Sequence, residues 1–139
     1  AAATATIVAT LSAAKADGQL LVFEGNPLSV AAADRAKLDF VVLDTETAET
    51  MTDVRLQVLN ATTYAGIAAE RLLLAAEIDA PLQDADRTEY AAVEAVARCV
   101  VEYGPLAGFA AYNIAGDYYH ADGNYRTIRA AIQTLNPSK

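Results

Sequence analysis

Apolar residues along this chain recur at two spacings, one suited to helices and one to strands. From Ile7, the residues Leu11 and Ala14 follow helical intervals, and Ala16-Asp17-Gly18 can end that helix with a left-handed glycine. The threonines and the β-branched pair Ile7 and Val8 would also suit a strand, so the helix is the preferred of two readings. In QLLVFEGNPLSV a short apolar run meets the turn composition Glu24-Gly25-Asn26-Pro27, where Pro27 pushes Asn26 towards extended geometry. KLDFVVLD sets Leu38, Phe40 and Val42 against Asp39, the pattern of a largely buried strand. DVRLQVLN alternates Val54, Leu56 and Val58 with Arg55 and Gln57, which predicts a strand covered on one side.

Helical spacing then dominates NATTYAGIAAERLLLAAEI. Thr62 or Thr63 can cap it, and Ala65, Ala68, Ala69, Leu72, Ala75 and Ala76 form a small-residue face able to pack closely on a sheet. Pro81 stops that helix and opens the connector DAPLQDADRTEY. AAVEAVARCVVEY reads as a helix or, at its end, a strand, closed by Gly104-Pro105, and LAGFAAYNIAGDYY reads as a strand. Asp122-Gly123 is a strong hairpin signal, since a tight primed turn needs positive φ. Tyr118 and Tyr119 precede it; Tyr125, Ile128, Ala130 and Ile132 follow, alternating with Arg129, Ala131 and Gln133. The expected fold is α+β: a mixed, mainly antiparallel sheet flanked by two or three helices and ending in a β-hairpin.

Composition fits that picture and narrows the function. With 139 residues, 54% apolar and 20% charged, the chain can bury a continuous core, and one domain over 1–139 is expected. Ten Lys and Arg against eighteen Asp and Glu give a net charge of −8, which opposes binding to a phosphate backbone, and the basic residues form no run. No segment approaches the ~20 apolar residues of a membrane span. The N-terminal AAATATIVATL has no basic leader region, so a cytosolic product is expected.

Candidate chemistry is sparse. Cys99, the one cysteine, excludes an internal disulfide and a cysteine-cluster zinc site; among Val96, Val100 and Val101 it reads as a buried, inert thiol. The one histidine, His120, lies at the predicted turn beside Asp122 and Asn124, and its bland reading is a structural or solvated side chain. DTETAETMTD interleaves Asp44, Glu46 and Glu49 with four threonines before Asp53. It lacks the glycine and register of a calcium loop, so it reads as an exposed hairpin loop, or in a sharper reading as an acidic contact surface. Asp84, Asp86 and Glu89 could serve acid–base work only if they converged in a cleft; capping and solvation explain them as well. Asn60-Ala61-Thr62 matches a glycosylation sequon, a three-residue pattern common by chance. There is no phosphate loop, dinucleotide fingerprint, nucleophile elbow or zinc-helix motif, so no catalytic residue, metal or cofactor is expected.

One resemblance concerns layout. An opening helix with ADGQL, the acidic-threonine stretch between LDFVVLD and DVRLQVLN, the helix AGIAAERLLLAAE and the closing DYYHADGNYRTIRAAIQTL together resemble tail terminator (tail completion) proteins of long-tailed bacteriophages. That resemblance implies a non-enzymatic virion subunit, made in the bacterial host cytoplasm, forming a homo-oligomeric ring, commonly a hexamer. The ring would cap the tail tube and join it to neck and connector proteins, with no sequence-specific nucleic-acid binding and no membrane. Asp44, Glu46, Glu49, Asp53, His120, Asp122 and Asn124 would then be subunit contacts. A second, shorter likeness sets DVRLQVLNATTYAGIAAERLLLAAEI beside the strand–turn–helix opening of the LytR C-terminal domain, with Ala61 where a glycine is usual. This alternative implies an envelope binding module.

Overall fold

A computed structural model describes residues 2–84 and 87–138. Its centre is a four-stranded sheet in the order β1 (Val22–Glu24), β2 (Phe40–Leu43), β3 (Leu72–Glu77) and β6 (Gly108–Tyr112), with every neighbouring pair parallel. β4 (Pro81–Asp84) and β5 (Arg87–Ala91) form a separate antiparallel pair between β3 and the next helix. Helices alternate with the central strands: α1 (Ala2–Ala14) leads, α2 (Ala32–Arg35) follows β1, and α3 (Met51–Leu59) follows β2. Further along, α4 (Ala92–Tyr103) joins β3 to β6, and α5 (Ile114–Tyr118) and α6 (Arg126–Leu135) come last. The chain thus runs through four consecutive strand–helix units without reversing the strand order.

This architecture corrects the expected mainly antiparallel sheet: the principal sheet is parallel, and the fold is α/β. Three local readings account for the error. Residues 53–60 form a helix. Val54 and Val58 are four apart and buried while Leu56 is half exposed, so the alternation was also a helical stripe. A capping box decides between them: Asp53 N–H donates to Thr50 Oγ1 (3.3 Å), and Thr50 N–H donates to the Asp53 carboxylate (2.9 Å).

The second correction lies in NATTYAGIAAERLLLAAEI, where a wide turn over Asn60–Tyr64 extends α3 and the LLLAAE run becomes β3. Strand β3 sits in the middle of a parallel sheet, so both its faces are covered, and it reads as an unbroken apolar run. High helix propensity of Ala and Leu loses to that burial.

The third correction is the terminal hairpin, which is absent. The Asp122-Gly123 turn forms, with Gly123 N–H donating to His120 O (3.1 Å), but it connects α5 to α6. Thr127 and Ala131 are buried, with Ile128 and Leu135 packed against the core, a helical stripe that the alternation of Ile128, Ala130 and Ile132 had masked. Elsewhere the predicted helix at the N-terminus, the strand at Phe40–Leu43, the helix at Ala92–Tyr103 and the strand within LAGFAAY are observed. Pro81 does not stop a helix but begins β4.

One face of the sheet carries the core. Val41 and Leu43 of β2 and Leu72, Leu74 and Ala76 of β3 pack with Val54 and Val58 of α3, Val93 and Val96 of α4, Val8 of α1 and Ala131 of α6. Alternate residues, among them Val22, Phe40, Val42, Leu73, Ala75 and Ala110, occupy the opposite face by the period-two rule. Thr45 extends the β2–β3 ladder from the loop. Its hydroxyl donates to Ala75 O (2.5 Å) and accepts from Ala75 N–H (2.6 Å), in a position that is 2% exposed.

Candidate site at the C-terminal rim of the parallel sheet

In a parallel sheet all strands end on one side, so the loops that follow them gather their side chains there. Glu24 ends β1, Asp44 and Glu46 follow β2, and Glu77 and Tyr112 end β3 and β6 as paired neighbours. One carboxylate oxygen from each of Glu24, Asp44 and Glu46 lies within 4.8 Å of the others. Gly25, at φ +122°, lets the chain leave β1 close to this group: a Cβ there would meet Asp44 Oδ2 at 3.6 Å.

Tyr112 completes the cluster from the far edge of the sheet. Its phenol is pushed up to about 12, first by burial and then by its hydrogen bond to Glu24, with the charges of Glu24, Glu46 and Asp44 adding to the effect. A flat sheet would hold the backbones of β1 and β6 roughly 14 Å apart. The long side chains of Glu24 and Tyr112 reach across that separation to meet.

Glu46 is the least relaxed member. Burial raises its pKa above the ordinary carboxylate value against a hydrogen bond from its own backbone amide, and Asp44, Glu24 and Glu77 raise it further. Its Oε2 has no hydrogen-bond partner among the described residues. The sign follows directly: a carboxyl whose folded pKa is raised contributes stability below the unfolded value near 4.5, lost as pH rises through the folded value. Glu46→Gln is therefore expected to raise the melting temperature at neutral pH and to flatten the stability profile above pH 4.5, as read by thermal denaturation across pH. An unchanged profile would mean that the carboxyl is fully solvated.

Two clefts adjoin the cluster. One of about 310 Å³ lies between the β1 loop and α3, lined by Asn26, Asp44, Thr47, Gln57 and Asn60 among others. Gln57 Nε2 donates to Asp44 O across it (3.1 Å). The other, of about 470 Å³, runs between the β2 loop and the β4–β5 pair and has Glu46 and Thr47 at its wall. The first cleft thus offers the Asp44 carboxylate and three side-chain amides and the second the Glu46 carboxylate, while Glu24 and Tyr112 line neither. Three oxygens at this separation could also hold a hard divalent cation.

The other residues singled out in the sequence do not converge here. Glu49 is exposed, and its carbonyl accepts from Gln83 N–H (3.2 Å). Asp53 is committed to the cap of α3. His120 accepts from Asp122 N–H at Nδ1 (3.1 Å) and holds Nε2 3.9 Å from Asp79 Oδ1. Asp122 points into solvent, 4.0 Å from Arg126, and Asn124 O accepts from Arg129. The turn at His120 is a helix connection. Asp86 and the side chains of Asp84 and Glu89 lie outside the described residues.

Cys99 is buried, and burial, reinforced by Glu102 and opposed by Arg55, pushes its thiol up to about 11. A thiolate-selective reagent is expected to leave it unmodified in the native protein and to react promptly in denaturant. Fast native labelling would contradict the packing of α4.

Glu24 and Tyr112 were missed in the sequence. Glu24 looked like part of a turn and Tyr112 like one tyrosine among seven; only a rule that parallel strands present their C-terminal ends together would have flagged them.

No protein-family model matches this chain, and no curated protein matches it in sequence. Among the described residues, no helix is long and apolar enough to cross a membrane. In structure the chain is similar to the selenomethionine form of BT1044 carrying a Glu-to-Gln substitution. The TM-score is 0.72 at 17% identity, over 95% of this chain and 44% of that one. The chain spans less than half the length of that neighbour, and the likeness establishes the fold alone: an α/β arrangement with a parallel sheet, in place of the antiparallel one expected.

Proposed function

We propose that this chain binds a small, hydroxyl-bearing molecule, neutral or cationic, at the C-terminal rim of its parallel sheet. The observation that carries this reading is the meeting of Glu24 and Tyr112, from opposite edges of the sheet, with Asp44 and Glu46 between two clefts. Ligands of α/β folds commonly sit at this end of the sheet. Carboxylates and amides accept and donate hydrogen bonds to ligand hydroxyls, while the negative cluster repels phosphates and carboxylic acids. Glu46, with its raised pKa, is the group fitted to exchange a proton with a bound hydroxyl.

The virion assembly role draws no support from this topology. The terminal hairpin, the loop between two strands at 44–53 and the antiparallel sheet behind that resemblance are replaced by strand–helix units. The envelope-module alternative needs strand, turn, helix over 53–78, where the order is helix, wide turn, strand.

Titration of the labelled protein with neutral oligosaccharides, amino sugars and their phosphorylated counterparts, followed by backbone NMR shifts, tests the reading. Shifts confined to 24–26, 44–47 and 110–113, lost in Glu46→Gln or Tyr112→Phe and absent with phosphorylated ligands, are the expected result. Binding elsewhere, preference for anions, or no binding at all would sink it. Shifts produced only by magnesium or calcium would instead make the rim a cation site.

A further inference from the structure

The cleft between the β1 loop and α3, of about 310 Å³, has the size of a pocket for a small polar group. Two of the amides that line it are already oriented. Asn26 Oδ1 accepts from Leu28 N–H (2.9 Å), so the Asn26 side chain presents Nδ2 as its remaining donor. Gln57 Nε2 donates to Asp44 O (3.1 Å), a carbonyl that can only accept, so Gln57 keeps Oε1 as an acceptor. Thr47 Oγ1 donates to the same carbonyl (2.9 Å), which leaves its own lone pairs to accept. Asp44 stands at the N-cap of the short turn Thr45–Thr47 but makes no side-chain cap there, so its carboxylate is not spent on the backbone.

Asn60 lies three residues beyond Gln57, on the same helix face. It opens the wide turn that extends α3, where Ala65 N–H donates to Asn60 O (2.9 Å), and such turns are frequent at functional sites. The lining is therefore rich in acceptors: the Asp44 carboxylate, Gln57 Oε1 and the Thr47 hydroxyl stand against one oriented donor, Asn26. Among the described residues no Lys, Arg or His lines this cleft or its neighbour. Glu24 and Glu46 each bring a carboxylate oxygen within 4.8 Å of one from Asp44, which extends the negative field. A hydroxyl offers such a lining one donor, whereas a primary ammonium offers three and the opposite charge.

We propose that the ligand of this rim is a hydroxyl-bearing primary amine, seated by its ammonium group in the cleft between the β1 loop and α3. The ammonium donates to the Asp44 carboxylate, Gln57 Oε1 and Thr47 Oγ1, while Asn26 Nδ2 donates to a neighbouring ligand hydroxyl. Pro27 and Leu43, also in the lining, meet the carbon skeleton. Added salt weakens binding by screening the charge. This assignment rests on ligand binding at the rim and goes further by naming the charged group and the cleft that takes it.

Glucosamine, glucose and N-acetylglucosamine share one ring skeleton and differ at a single substituent, which makes them the probes. Each is titrated into the labelled protein at mildly acidic pH, where the free amine carries its proton. Binding is read from the side-chain amide signals of Asn26, Gln57, Asn60 and Gln83 together with the backbone of 44–47. Glucosamine is expected to shift the first three amides and to bind roughly tenfold tighter than either neutral sugar, a margin that narrows as salt is added. Asp44→Asn, which keeps the shape and removes the charge, should abolish the preference; Asn60→Asp, which adds a charge at similar volume, should widen it. Equal affinity for glucose and glucosamine, with shifts at 44–47, would overturn the amine assignment and leave the hydroxyl-ligand reading standing. Glucosamine that shifts Gln83 alone among the four amides would move the site to the second cleft and overturn the assignment too. A preference that survives in Asp44→Asn does the same. No shift from any of the three sugars would sink both readings.

Discussion

Asp117→Ala is expected to destabilise the protein by about 4 kcal/mol, since two charge-assisted hydrogen bonds are lost and two amides are left without their partner. Asp117 lies in the last turn of α5 and is fully buried. Its Oδ1 accepts from Thr127 N–H (2.8 Å) and its Oδ2 from Ile128 N–H (2.9 Å), so it caps the first turn of α6 from ten residues away. Tyr125, the residue before α6, contributes no side-chain cap and sits at φ +59°, a strained conformation for an aromatic residue. Its N–H donates to Asp117 O (2.8 Å), so one residue holds both the strained entry and the helix start. Asp117→Asn, which keeps one acceptor oxygen, is expected to lose about half as much. Equilibrium urea denaturation measures both, and equal losses for the two variants would mean that the charge and the second acceptor oxygen, not the shape of the side chain, are at stake.

A pH dependence follows from the same site. Burial works to raise the Asp117 pKa, but the hydrogen bonds from Ile128 and Thr127 outweigh it and hold the carboxyl below 3.8. A depressed carboxylate contributes stability above its unfolded pKa, lost as pH falls through the folded value. Acid unfolding of α6 is therefore expected below pH 3.8, and Asp117→Asn should remove that component.

Thr45→Val is expected to cost about 3 kcal/mol, because the shape is kept while a buried N–H and a buried C=O lose their only side-chain partner. The Thr45 hydroxyl spans both backbone groups of Ala75, which is 0% exposed. It also fixes the loop carrying Asp44 and Glu46. Thr45→Ser preserves the two bonds and should recover most of the loss in the same denaturation measurement. Failure of serine to do so would assign the effect to the methyl group.

The candidate site was half legible. Asp44 and Glu46 stood out in the sequence as an acidic cluster with an undefined role, and their convergence is observed. Glu24 and Tyr112 lie 20 and 68 residues from Asp44 along the chain, as their numbers show, and no local pattern links them. His120 attracted notice because it is the one histidine, but rarity along a chain carries no information about convergence in space. Its turn residues Asp122 and Gly123 were read correctly as a turn. What flanks a turn depends on which partners the neighbouring residues find.

Local chemistry by itself determined the buried strand at Phe40–Leu43 and the burial of Cys99, and for Ala92–Tyr103 it offered the observed helix as one of two readings, each a consequence of side-chain type and near-neighbour spacing. Only the tertiary structure decided that Leu72–Glu77 is a strand, that Val54 and Val58 lie on a helix, and that the sheet is parallel. Strand direction and sheet membership are set by burial against residues distant in sequence. The free energy of covering both faces of β3 exceeds the few tenths of a kcal/mol per residue by which helix propensities differ.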